Sequence, residues 1–200
     1  VFECLKGKRY ESIKKRCNTV MLLVMLLSFL FILFAPELIM IIGGDEYYNA
    51  IYVVPPVAAS VFFTFLYSVF STVEFYYEKT EEIMYASVGA AILNVALNGI
   101  FIRIFGYIAA GYTTLACYLF LSMAHYQVMK KTILENIGHI ELFDMKLIAT
   151  MAFVMIASTV LFSALYSFTL IRYSLIVIFA VVGIIKRKDM ISILKTIKVK

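Results

Sequence analysis

Long apolar runs separated by short polar stretches set the pattern of this chain. Six runs reach or approach the ~20 apolar residues that a helix needs to cross a bilayer. They are Thr19 to Ile42, Ile51 to Val73, Ile83 to Ile102, Tyr107 to Met129, Leu147 to Tyr166 and Phe168 to Ile185. None alternates apolar with polar positions, so none reads as a barrel strand. The pattern predicts an all-α, polytopic membrane helix bundle with six transmembrane helices. Short connections predict that neighbouring helices pack as antiparallel hairpins. Pro36 falls late in the first run and predicts a kink there.

Composition supports the same class. Hydrophobic residues make up 63% of the 200 residues, charged residues 16%, and mean hydropathy is +0.93. A water-soluble domain carries about a quarter charged residues, so a soluble globular chain is excluded, and so is a disordered one. The net charge of +5 is not spread evenly. Of the 18 Lys and Arg, all but Arg103 and Arg172 fall in the N-terminal segment, the loops after the second and fourth runs, and the C-terminal tail. Such asymmetry places both termini in the cytoplasm. It also accounts for the positive charge without a nucleic-acid partner. Tyrosines near the run ends, among them Tyr47, Tyr48, Tyr52, Tyr76, Tyr77, Tyr85, Tyr107, Tyr166 and Tyr173, read as interfacial anchors.

The chain divides accordingly into a basic cytoplasmic segment (1–18), a four-helix part (19–129), a cytoplasmic interfacial loop (130–146), two further transmembrane helices (147–185) and a basic tail (186–200). Ile133, Ile137 and Ile140 in the loop, and Met190, Leu194 and Ile197 in the tail, recur at helical spacing and predict two short interfacial helices. The first residues are polar and basic, with no apolar leader, which reads as a piece of a longer protein. Cys4, Cys17 and Cys117 form no CxxC and suggest no redox role.

Little in the chain suggests catalysis. His125 lies near the inner end of the fourth run and His139 in a loop, and no HExxH, GxSxG or P-loop occurs. The outer loops are too short for a glycan active site. We therefore expect no enzyme, no cofactor and no metal. Polar groups inside the runs are more informative, because lipid makes them costly. Ser60, Thr64, Ser68 and Thr72 follow Pro55-Pro56 at steps of four, with Ser71 alongside. They are either the wall of a hydrated substrate path or ordinary packing with hydroxyls bonded to the preceding turn. Asn94 and Asn98 lie one turn apart and serve helix packing or the path. Ala109, Ala110 and Gly111, with Gly89 to Ala91, predict a tight hairpin of the third and fourth helices around Phe105-Gly106. Glu37, just past Pro36, is a possible proton or ion site, whereas Glu74 and Arg103 read as side chains snorkelling at helix ends.

The order of these features resembles a known family. Phe34-Ala35-Pro36-Glu37-Leu38 leads to Gly43-Gly44-Asp45-Glu46-Tyr47-Tyr48 and Ala50. Asn94-x3-Asn98 comes next, then Phe105-Gly106-Tyr107-x-Ala109-Ala110-Gly111-x-Thr113-Thr114. Over Asn18 to Lys131 this is similar to the C-terminal half of bacterial polysaccharide flippases, the O-antigen and capsule type, of the multidrug/oligosaccharidyl-lipid/polysaccharide exporter superfamily. The usual Gly-Ala pair of that family stands here as Ala110-Gly111, and its Ala-Thr as Thr113-Thr114. The resemblance implies one lobe of a two-lobed transporter in the bacterial cytoplasmic membrane. Its partners would be an N-terminal lobe of the same protein, membrane lipid and an undecaprenyl-diphosphate-linked glycan. Alternatives are a drug or metabolite exporter of that superfamily, a lipid II flippase, a non-transporting membrane subunit, and an integral membrane enzyme of envelope glycan synthesis.

Overall fold

The computed structural model describes residues 1–198, with side chains described through Ile185. Among the described residues it is all-helical. Eight α-helices follow in order: α1 (Phe2–Lys6), α2 (Tyr10–Leu33), α3 (Ala35–Gly43), α4 (Val54–Tyr76), α5 (Thr80–Phe105), α6 (Ala109–Ile137), α7 (Met145–Ala164) and α8 (Thr169–Lys198). Short 3₁₀ turns span Asp45–Tyr52 and Leu165–Ser167. Four helical stretches, Tyr10–Leu33, Val54–Tyr76, Thr80–Phe105 and Met145–Ser167, are long and apolar enough to cross a membrane, and Thr169–Ile185 is a shorter apolar helix. Ile41, Ile42, Ile92, Val95, Phe153 and Leu170 stand exposed. A water-soluble monomer rarely exposes so many large apolar side chains, so the bundle suits lipid.

Helix α4 is the centre. It packs against α2, α6 and α7 and buries Phe62, Phe63, Leu66, Phe70 and Val73. Pro55 and Pro56 sit in its first turn, where their missing N–H leaves no bond unmade. Helices α5 and α6 do form a hairpin, turned at Gly106, whose φ of +72° suits a residue without Cβ. The expectation of hairpins throughout fails at three places: α4 and α5 touch little because α2, α6 and α7 occupy most of α4, and among the described residues α6 with α7 and α7 with α8 also touch little. Gly111 also does other work than expected. A Cβ there would lie 2.9 Å from Pro56 Cγ and 3.0 Å from the Val53 carbonyl oxygen, so it lets α6 approach the start of α4 rather than α5.

Three boundaries differ from the sequence reading. The first apolar run is two helices, broken at Phe34, and α2 begins at Tyr10, well inside the basic segment. That segment belongs to the bundle, because Cys4, Leu5, Ile13 and Cys17 are buried in the core. The loop helix around Ile133 is not separate. It is the end of α6, with Ile133 buried, and Gly138 (φ +77°) stops it. Leu142 and Phe143 then tuck into the core, and the Asp144 carboxylate accepts the Leu147 N–H at 3.1 Å to start α7. At the other end, the helical backbone of α8 runs on to Lys198 without a break, so the tail is not a separate helix. The pattern of Met190, Leu194 and Ile197 lies outside the described side chains.

Candidate functional site

The hydroxyls of α4 lie on the side of the helix that no neighbour covers. Val57, Val61, Ser68 and Phe75 are exposed, and Thr64 and Thr72 are half-buried between them. Those positions keep one face of a helix. Ser60 and Ser71 are exceptions, since both are buried. Each bonded hydroxyl donates to its own helix: Ser60 to the Val57 carbonyl at 2.6 Å, Thr64 to Ser60 at 2.9 Å, Ser71 to Ser68 at 3.1 Å and Thr72 to Ser68 at 2.7 Å. A hydroxyl oxygen that has used its proton still offers lone pairs, so the strip presents acceptors. Phe62, Leu66 and Phe70 pack on the far side of α4, and Phe65 is half-buried.

Glu37 is not alone. Arg172 of α8 meets it through two N–H groups, Nη1 to Oε2 at 2.5 Å and Nη2 to Oε1 at 2.6 Å, and the Tyr173 hydroxyl donates to Oε1 at 2.6 Å. The cause lies in Pro36. Lacking an N–H, it cannot bond the Ile32 carbonyl one turn back, and the break at Phe34 frees the Leu33 carbonyl as well. The Tyr166 hydroxyl donates to Ile32 at 3.0 Å, and Arg172 Nη1 to Leu33 at 2.9 Å. Arg172, read from the sequence as an outer-loop cation, is therefore buried (side chain 6% exposed), while Glu37 keeps 30% exposure. Tyr166, read as an interfacial anchor, is buried in the core.

Glu74 corrects the sequence reading most. It does not snorkel: its side chain is 0% exposed and that of His125 1%. His125 Nδ1 lies 2.8 Å from Glu74 Oε2 and 3.1 Å from Oε1. A carboxylate only accepts, so Nδ1 carries the proton of this bond. Tyr67 stacks on the imidazole at 5.6 Å between ring centres, and Tyr118 lies on Tyr67 at 6.1 Å. The pair joins the last turn of α4 to the middle of α6.

Asn94 and Asn98 lie in the α5–α6 seam. Asn98 Nδ2 donates to Asn94 Oδ1 at 3.0 Å, Thr113 Oγ1 to Asn98 Oδ1 at 2.5 Å, and Asn94 Nδ2 reaches Cys117 Sγ at 3.5 Å. Arg103 is exposed at the end of α5.

The sequence reading named both carboxylates and both histidines but not these pairings. Depth was the available signal: the sequence reading put Glu37 and Arg172 near run ends on one side of the membrane and Glu74 and His125 near run ends on the other. Charges at equal depth in lipid find each other. No family model, no curated protein sequence and no solved structure matches the chain.

Proposed function

We propose that this bundle is one lobe of a membrane transporter that moves a lipid-linked oligosaccharide, with substrate passing along the uncovered face of α4. Six traverses fit the bundle: α2 with α3, then α4, α5, α6, α7 and the apolar part of α8. Both termini then lie on the cytoplasmic side. Two placements support that orientation. The basic segments gather at one end, where Lys79 pairs with Glu135 at 3.3 Å and Phe2 of α1 packs on Tyr76 at 5.0 Å between ring centres. At the other end Arg172 is taken up by Glu37.

The observation that carries the reading is the acceptor-lined strip at Thr64, Ser68 and Thr72, left uncovered on the most buried helix. A sugar headgroup leaving water must replace its lost hydrogen bonds, and glycan hydroxyls are donors suited to those acceptors. A second lobe facing this strip would enclose the path while the lipid tail stays in the bilayer. No covalent chemistry is invoked.

The test is movement in reconstituted vesicles loaded with undecaprenyl-diphosphate-linked oligosaccharide, read by the glycan exposed to a membrane-impermeant oxidant. Thr64→Leu is expected to slow movement by about tenfold, the effect of roughly 1.4 kcal/mol, with unchanged thermal stability. Absence of movement when this bundle is assembled with its second lobe defeats the reading. Movement unaffected by Thr64→Leu and Ser68→Leu defeats the path.

A further inference from the structure

Where α6 ends, the chain folds back and leaves a cleft of about 490 Å³. That volume falls within the ~300–1,000 Å³ of small-molecule sites. The return is anchored. Gly138 (φ +77°) ends the helix, and Leu142 and Phe143 re-enter the core with 1% and 2% exposure. Phe70 of α4 meets Phe143 at 5.5 Å and Tyr126 at 5.8 Å between ring centres, and both of these rings line the cleft.

The lining has two parts. Met129, Ile133, Leu134, Ile140 and Met145 make it apolar over much of its extent, and Leu134 and Ile140 stand exposed. Lys130, His139 and Glu141 make the rest polar. Lys130 and Glu141 carry opposite charges, yet neither forms an ion pair among the described residues, with the other or with any third group. Lys79 and Lys131, by contrast, both reach Glu135. From Gly138 to Phe143 no peptide N–H bonds to another backbone group among the described residues, so donors remain there. His139, as a neutral imidazole, adds one donor and one acceptor.

Position brings an amphiphile within reach. Helix α6 has 29 residues, about 44 Å at 1.5 Å per residue, whereas the hydrocarbon core is about 30 Å thick. With α6 as a traverse, as in the reading above, its last turns stand in the headgroup layer. A ligand drawn from that layer has a chain for the apolar wall and a headgroup for the charged one.

We propose that this cleft binds a phospholipid with a phosphoethanolamine headgroup. The lipid phosphate takes the Lys130 ammonium and the peptide donors. The lipid ammonium donates to the Glu141 carboxylate, and one acyl chain lies along Leu134 and Ile140. Charge selects this class. One cation and one anion in the lining match a headgroup that carries one of each. A purely anionic headgroup leaves Glu141 against like charge, which is costly. A phosphocholine headgroup has the right charges but no N–H for the charge-assisted hydrogen bond to the carboxylate.

The experiment is native mass spectrometry of the full chain, released from micelles that contain equal amounts of phosphatidylethanolamine, phosphatidylcholine and phosphatidylglycerol of distinguishable mass. The expected result is one phosphatidylethanolamine retained in preference to the other two. Lys130→Gln and Glu141→Gln should each weaken its retention by about two- to fivefold, the worth of one exposed ion pair. Both side chains are exposed, so both variants should keep the fold, read by circular dichroism. Lys131 lies outside the lining, and Lys131→Gln should leave retention unchanged. Equal retention of the three lipids, retention of none, or preference for phosphatidylglycerol overturns the proposal. So does a loss seen in Lys130→Gln but not in Glu141→Gln, which would mark a site for anionic lipid instead. Retention reads the cleft whether or not the protein moves an oligosaccharide, so failure of the transport reading and failure here are separate results.

Discussion

Two carboxylates near opposite ends of the bundle have opposite fates. Glu37 bonds to an arginine, which never loses its charge in a protein, and the same arginine bonds a backbone carbonyl freed by the helix break. That pair repairs a backbone fault and remains partly exposed on the carboxylate side. Glu74 bonds to a histidine, the side chain whose charge changes most easily near neutrality. Its pair repairs no backbone group and is sealed from solvent. Similar ingredients, a carboxylate and a nitrogen donor on different helices, thus give a clamp on a broken backbone at one end and a sealed helix-to-helix contact at the other.

The sealed pair should be the costlier one to break. His125→Leu removes the only bonded side-chain partner, among the described residues, of a fully buried carboxylate, a change that costs about 3–5 kcal/mol. Replacing both members, Glu74→Leu with His125→Leu, should restore most of that stability, because apolar groups of similar size fill the seam without an orphan charge. Unfolding in detergent measures both. A single variant as stable as the parent would show that water already reaches the pair, and the contrast between the two ends would vanish.

Arg172→Met tests the other end. Hydrogen bonds to charged groups contribute about 1.5–3 kcal/mol, and the partial exposure of Glu37 lets water replace some of what is lost, so a loss of about 2 kcal/mol is expected. Tyr166→Phe should cost at most about 1 kcal/mol, because the Ile32 carbonyl loses the hydroxyl but keeps a backbone N–H at the helix end, and together the two should unfasten α3 from α8. Pro36 made the fault legible in the sequence, and the apolar runs made the helical class legible too. What mends the fault was not legible, because Arg172 lies 135 residues from Glu37, and His125 lies 51 from Glu74. Periodicity reports which face of one helix is apolar. It says nothing of which two helices meet, so α4 was matched with its neighbour α5 instead of α6. Local composition likewise hid the helical start at Tyr10, since its basic residues look like a tail while Ile13 and Cys17 hold it in the core. The hydroxyl steps of α4 were legible as a pattern, but their position on an uncovered face required its packing partners.

The amide seam between α5 and α6 supplies the uncharged end of the scale. Asn98→Leu removes the donor to Asn94 Oδ1 and the acceptor for Thr113. Thr113 has a fallback, since its hydroxyl also lies 3.0 Å from the Ala110 carbonyl oxygen in its own helix. Asn94 keeps only the long contact from Nδ2 to the Cys117 sulfur. The seam is half-buried rather than sealed, and side-chain hydrogen bonds between membrane helices average about 0.6 kcal/mol. Asn98→Leu should therefore cost at most about 1 kcal/mol, below either charged pair, and Thr113→Val about half as much. The measurement is the same unfolding transition in detergent, with transport followed alongside. A loss as large as that of His125→Leu would mean that neutral amides fasten this bundle as firmly as buried charge. Normal stability with no transport would move Asn98 out of the seam and onto the substrate path, beside Thr64.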